Sequence, residues 1–299
     1  MPSKLYKALL FSGILLILIA VPVFYFQQKS QAEEIYLEVN FLDVGQGDAV
    51  LIKTPFGQNI LIDGGPDDSI VYRLGENLDW WDRRIDLIIL THPHDDHVAG
   101  LVNVLKRYQV EEIVYAGVVH TAPNYLEWLR LAKEKNIPVK LIEKPHQIIL
   151  GPDCRFDIFY PHKSFFKKEV SNLNNTSIVA KLTYKERTFL FTGDMEKEAE
   201  EELLLNYSSS DYLDTNIFDS DVLKVAHHGS DTSSSQDFIN LVKPEISVIM
   251  VGADNKFGHP ANRILKRLEK AGSEIYRTDI HGSIKISSDG LELKVEVEK

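Results

Sequence analysis

Cysteine is nearly absent from this chain: Cys154 is the only one. No intrachain disulfide can form, and no metal site can be built from thiolates. Positive charge is also scarce. Lys and Arg number 33 against 44 Asp and Glu, a formal net charge of −11, which excludes a broad basic surface gripping nucleic acid without selectivity. A small basic groove, or a cation that neutralises phosphate locally, remains compatible with that charge. Short-period repeats, low-complexity tracts and linker-like stretches are lacking too, so residues 35–299 read as one domain. What is present is ordinary globular composition, 44% hydrophobic and 26% charged, enough for a single core.

One long hydrophobic run stands apart. Ala8–Phe26 carries no charge and follows Lys4 and Lys7. It is long enough to span a bilayer. Lysines before it and Glu33-Glu34 after it predict an N-in orientation, with the downstream chain outside the cytoplasm. Residues 1–34 therefore read as a transmembrane anchor or, alternatively, as a cleaved signal peptide, because Ser30-Gln31-Ala32 has small residues spaced for cleavage. Both readings export residues 35–299, either single-pass at the cell membrane or secreted.

Beyond residue 35 the pattern opens with three strand-like segments, Tyr36–Val44, Asp48–Thr54 and Asn59–Ile62, joined by Gly turns. Strand and helix periodicities then alternate, an irregular middle covers residues 145–175, and strands close the chain. This order predicts an α/β (α+β) domain of two sheets packed face to face with helices outside.

The chemistry concentrates at Thr91-His-Pro-His-Asp-Asp-His97. His92, His94, Asp96 and His97 follow the apolar segment Ile85–Leu90 and precede Val98, Leu101, Val102 and Leu105 at helical spacing. They are therefore placed where a strand gives way to a helix, where side chains of an α/β sheet converge. A merely solvated turn would favour Gly, Asn and Ser instead. Asp63, Asp194 and His227-His228 also follow apolar strands and small turns. Equivalent strand ends face one cleft, so these residues are expected to meet there. His with Asp suits zinc, manganese or iron, and about six ligands fit two divalent ions better than one. Two such ions about 3.5–4 Å apart clamp the oxygens of a phosphoryl or carbonyl centre.

His92-x-His94-x-Asp96-His97, with Asp63, Gly193-Asp194 and a later histidine, resembles the metallo-β-lactamase superfamily. More narrowly, Phe41-Leu-Asp-Val-Gly-Gln-Gly-Asp-Ala49, Phe191-Thr-Gly-Asp194 and Leu223-Lys-Val-Ala-His-His-Gly-Ser230 are similar to the extracytoplasmic domain of the competence protein ComEC and its free-standing relatives. The resemblance implies a four-layer αββα sandwich. It implies that His92 and His94 hold one ion, that Asp96, His97 and His228 hold the other, that Asp194 bridges, and that Asp63 orients ligands by hydrogen bonds. His227 is left to contact substrate or donate a proton, because neighbours on a strand point to opposite faces. The sequence departs from the superfamily pattern at Asn172-Leu-Asn-Asn-Thr-Ser177, where many members supply a further histidine. Asn175 and Ser177 are expected to touch a phosphate oxygen instead, and His259, in Gly-His-Pro, to line the cleft.

Two functions fit this reading. The first is an extracytoplasmic hydrolase, with zinc or manganese holding a hydroxide that attacks a phosphodiester. Its substrate would be single-stranded DNA during DNA uptake, or a cell-envelope polymer, with Asp96 and His227 acting in catalysis. DNA uptake would also require a separate channel protein. The second is a non-catalytic, metal-stabilised module of a competence or cell-envelope complex. A β-lactam or thioester hydrolase shares the fold but fits the narrower motifs less well.

Overall fold

Asn59-Ile-Leu-Ile62 sends Ile60 and Ile62 to one face and Leu61 to the other, and all three are buried. Leu87–Ile89 repeats this, with Leu87 and Ile89 on one side and Ile88 on the other. In Arg187–Phe191, Phe189 and Phe191 oppose Leu190. A strand that is apolar on both faces requires a covering layer on each.

The computed structural model describes residues 36–208 and 216–299. Leu37–Lys299 folds as one compact unit. Among the described residues, Leu37–Phe41, Val50–Lys53 and Asn59–Ile62 pair antiparallel, and Leu87–Ile89, Ile113–Tyr115 and Val139–Leu141 continue that sheet in parallel. Ile284–Ser288 and Leu293–Val297 return from the end of the chain to complete eight strands. The second sheet has seven strands, from His146–Gly151 at one edge to Glu274–Arg277 at the other. Phe41, Ile52 and Ile60 from the first sheet share a core with Phe156, Phe189 and Val222 from the second. Helices Ser69–Asn77, Asp95–Arg107 and Pro123–Glu134 cover the outer face of the first sheet. Lys197–Ser208, Gln236–Val242 and Asn262–Lys270 cover the second. The expected order of helix, sheet, sheet and helix is therefore present.

The middle of the chain is more regular than its sequence predicts. His146–Gly151 and Cys154–Tyr160 form an antiparallel hairpin within residues 145–175. Its first strand lies at the sheet edge and is mostly exposed, so it carries no apolar alternation that could reveal it. Among the described residues, no helix is long and apolar enough to cross a membrane; the run Ala8–Phe26 lies outside them.

Candidate metal centre

Three chain segments deliver the site. Leu87–Ile89 ends just before Thr91 and His92, and the helix Asp95–Arg107 begins directly after His94. Arg187–Phe191 ends before Asp194, and Val222–Lys224 ends before the turn Ala226–Gly229. Leu87–Ile89 and Val222–Lys224 each run parallel to both neighbours, while Arg187–Phe191 runs parallel to Val222–Lys224 and antiparallel to Val179–Tyr184. The loops that follow the three strands meet in one cluster.

Asp96, His97, Asp194 and His228 each offer a ligand atom, all within 4.8 Å of one another. His228 Nε2 lies 3.2 Å from Asp96 Oδ2 and 3.5 Å from Asp194 Oδ2. His97 Nε2 lies 3.3 Å from Asp194 Oδ2 and 3.9 Å from Asp96 Oδ2. Four ligands about 2.0–2.1 Å from a tetrahedral ion stand roughly 3.3 Å apart. Three of the four edges lie close to that length, and the fourth, His97 to Asp96, is longer at 3.9 Å. His97 Nε2 is buried without a hydrogen-bond partner, as expected of an atom whose partner is a cation. The donor set fits a divalent ion.

The histidines are aimed by what their other nitrogens touch. His97 Nδ1 lies 2.8 Å from Asp63 Oδ2, and a carboxylate only accepts, so Nδ1 carries the hydrogen and Nε2 faces the site. His228 Nδ1 likewise lies 2.8 Å from the Met250 carbonyl oxygen. Thr91 Oγ1 donates to Asp63 at 2.7 Å, which leaves it to accept from His92 Nδ1 at 3.2 Å. Asp63 thus orients His97 directly and His92 through Thr91. His92 Nε2 stands 3.0 Å from His94 Nδ1 and 3.9 Å from Asp194 Oδ2. His92 thus stands near Asp194 with His94 beside it, but the group of four includes neither.

Charge in this buried cluster is balanced locally. Burial alone would raise the Asp194 carboxyl, but His228 and His97 outweigh it and hold it well below the usual range. Burial would lower His97, yet the Asp194, Asp63 and Asp96 carboxylates carry it well above an ordinary imidazole. His228 is pushed up to about 10: Asp194 and Asp48 overcome the effect of burial. His92 moves the opposite way, with burial and His97 together depressing it.

Two charged residues were not anticipated from the sequence. Lys224 Nζ makes an ion pair with Asp48, donates to the Gly193 carbonyl at 3.0 Å, and lies 3.7 Å from Asp194 Oδ1. Asp48 Oδ1 is in turn 3.4 Å from His228 Nδ1. Both side chains are about 3% exposed. A signal existed: Val222 faces the inter-sheet core, so Lys224, two residues on, must point inward as well. A lysine at an inward position requires a buried partner.

Other expectations meet different outcomes. His227 and His228 lie on no strand but in a tight turn, with φ of +50° and +53°. Alternation across a strand therefore does not separate them. Depth does: the His228 side chain is 2% exposed and that of His227 21%. His227 Nε2 still lies 3.9 Å from Asp194 Oδ2. The His259 ring stacks beside His228 with centroids 6.4 Å apart, and its buried Nδ1 has no partner. Ser177 departs from the expected contact with substrate. It is fully buried, and its Oγ accepts from the Asp194 N–H at 3.0 Å, fixing the turn beneath the site. Asn175 is also committed elsewhere, accepting from the Glu196 N–H at 3.0 Å and donating to Glu198 at 3.2 Å.

The chain is similar to known proteins over most of its length. ComE operon protein 3 of Bacillus subtilis (strain 168) is 27% identical over 267 residues, covering 83% of this chain and 32% of its own length. Competence protein ComA of Neisseria gonorrhoeae is 28% identical over 247 residues, covering 82% of this chain and 31% of its own. The chain thus spans about a third of the length of these relatives. Among solved structures, Igni18, a metallo hydrolase from the hyperthermophilic archaeon Ignicoccus hospitalis, aligns with a TM-score of 0.52 at 16% identity, covering 83% of this chain and 98% of that one. At that identity the likeness is one of fold. The family model of the Metallo-beta-lactamase superfamily matches residues 42–253, which include the whole cluster from Asp48 to His228, and the chain belongs to that superfamily.

Proposed function

We propose that this protein is a metal-dependent phosphodiesterase acting outside the cytoplasm, with single-stranded DNA as its substrate. One observation carries the reading: Asp96, His97, Asp194 and His228 come from three separate strand ends, yet stand at the spacing of ligands around one cation. His92 and His94, beside Asp194, are the proposed ligands of a second ion. When bound, a divalent ion such as zinc or manganese supplies Lewis-acid stabilisation of charge building on a phosphoryl oxygen. The chain's own groups do the rest. Asp63 and Thr91 hold the imidazoles in one orientation, Lys224 offsets carboxylate charge beneath Asp194, and His227 at the mouth provides the proton taken up by the departing oxygen.

Nucleic acid is the favoured substrate because one relative, ComA of Neisseria gonorrhoeae, is named a competence protein. Lys256 and Arg263, flanking His259, offer positive charge in an otherwise acidic chain. The proposed setting is the cell membrane, through the apolar run Ala8–Phe26, with a separate channel protein as partner.

The test measures hydrolysis of bis-p-nitrophenyl phosphate and of labelled single-stranded DNA with zinc or manganese, alongside metal content. Asp194→Ala is expected to lose both bound metal and activity. A protein that retains metal but cleaves neither substrate is a binding module, and the proposal fails.

A further inference from the structure

His227 is held from behind. Its Nδ1 lies 3.2 Å from Glu196 Oε1 and 3.2 Å from Thr232 Oγ1, while its Nε2 turns toward Asp194. Glu196 is itself fixed on several sides. Asn172 Nδ2 donates to it at 2.6 Å, Asn174 Nδ2 at 3.1 Å and Thr232 Oγ1 at 3.0 Å. Because the Thr232 hydroxyl spends its hydrogen on Glu196, both oxygens facing His227 Nδ1 are acceptors, so Nδ1 must carry a hydrogen. The backbone adds a further constraint. His227 sits at φ +50°, a left-handed conformation that a non-glycine residue keeps only where its surroundings enforce it. The His227 N–H, bonded to the Gly193 carbonyl at 3.2 Å, ties this turn to the Asp194 loop.

We infer that Glu196 is a positioning residue for His227: its carboxylate holds Nδ1–H so that Nε2 is the ring nitrogen presented to the substrate. The inference rests on the phosphodiesterase reading for its catalytic consequence, though not for its geometry. In the reaction, a water oxygen bonds to phosphorus and releases one proton to solvent as the ester P–O bond breaks. The departing oxygen takes a proton from His227 Nε2–H, and the ring regains one from solvent. Glu196 never touches the substrate. The run Asn172-Leu-Asn-Asn175 provides two of the amides that fix Glu196.

The test compares two diesters that differ in leaving group. p-Nitrophenolate departs from bis-p-nitrophenyl phosphate without protonation, whereas a nucleoside alkoxide leaving a thymidine dinucleotide needs a proton. In the full, metal-loaded chain, Glu196→Gln is expected to lose about 10–100-fold more rate on the dinucleotide than on the nitrophenyl ester, and His227→Asn to show the same bias. Equal losses on both substrates would mean that Glu196 only supports the fold, and would overturn the inference. A second readout needs no activity. In the metal-stripped chain, nitrogen-15 spectra of the neutral His227 ring, assigned by its loss in His227→Asn, are expected to show hydrogen on Nδ1. In Glu196→Gln that hydrogen should shift toward Nε2. An unchanged tautomer overturns the inference. If the wild-type chain cleaves neither diester, the phosphodiesterase reading fails, and the ring-nitrogen spectra still decide the role of Glu196.

Discussion

At the scale of single residues, the site depends on a buried lysine as much as on its histidines. Lys224 sits among Asp48, Asp194 and the Gly193 carbonyl, with almost no access to water. Removing one partner of a buried pair leaves the other charge unsolvated, at a cost of about 3–5 kcal/mol. Lys224→Met should therefore lower the stability of the metal-free protein by about that amount in urea unfolding. Adding Asp48→Asn should restore part of it, because the stranded carboxylate is then gone. A Lys224→Met protein as stable as the parent would show that the pair contributes nothing. The ligand types at 92–97 were readable directly, since few other uses bring three imidazoles and an aspartate so close together. Asp48 and Thr91 were not readable as site residues, because an aspartate after glycines and a threonine before a histidine are ordinary turn chemistry until their contacts are known.

At the scale of elements, the helix Asp95–Arg107 must approach the Asp63-Gly-Gly turn closely enough to bring Asp96 and His97 into register with Asp63. Backbone hydrogen bonds join them: Gly64 N–H to the His97 carbonyl at 2.8 Å, Gly100 N–H to the Gly65 carbonyl at 2.9 Å, and Asp48 N–H to the Asp96 carbonyl at 3.2 Å. A Cβ at Gly100 would overlap the Gly64 carbonyl oxygen, and backbone cannot swing aside as a flexible side chain can. Gly100→Ala should thus cost about 1–3 kcal/mol or more and weaken metal binding along with it, as read by thermal melting and metal titration. Unchanged melting would mean that the turn and helix separate at little cost. Helical periodicity located this helix, but no local pattern marks Gly100 as the point where a backbone carbonyl approaches it.

At the scale of the whole molecule, stability and metal binding are linked through pH. His228 titrates at about 10 in the metal-free fold against 6.5 for an unperturbed imidazole. Its contribution to stability is therefore complete below pH 6.5 and fades as pH rises toward about 10. A bound metal requires the neutral ring, so affinity rises over the same window as protons become easier to displace. Melting in chelator should accordingly decline from pH 6.5 upward, while the increment gained on adding zinc or manganese widens. A metal-dependent increment that is flat across this range would place the ion away from His228. From its sequence alone, this chain determined its layered architecture and the residue types of its centre, because two-sided apolar strands and clustered imidazoles are local patterns. Only the tertiary structure decided that His227 and His228 occupy a strained turn rather than a strand, that Ser177 lies under the site rather than in it, and that Lys224 and Glu196 serve it. The reason is physical: each of those roles is set by a partner tens of residues away, and no local pattern records how a fold brings such partners together.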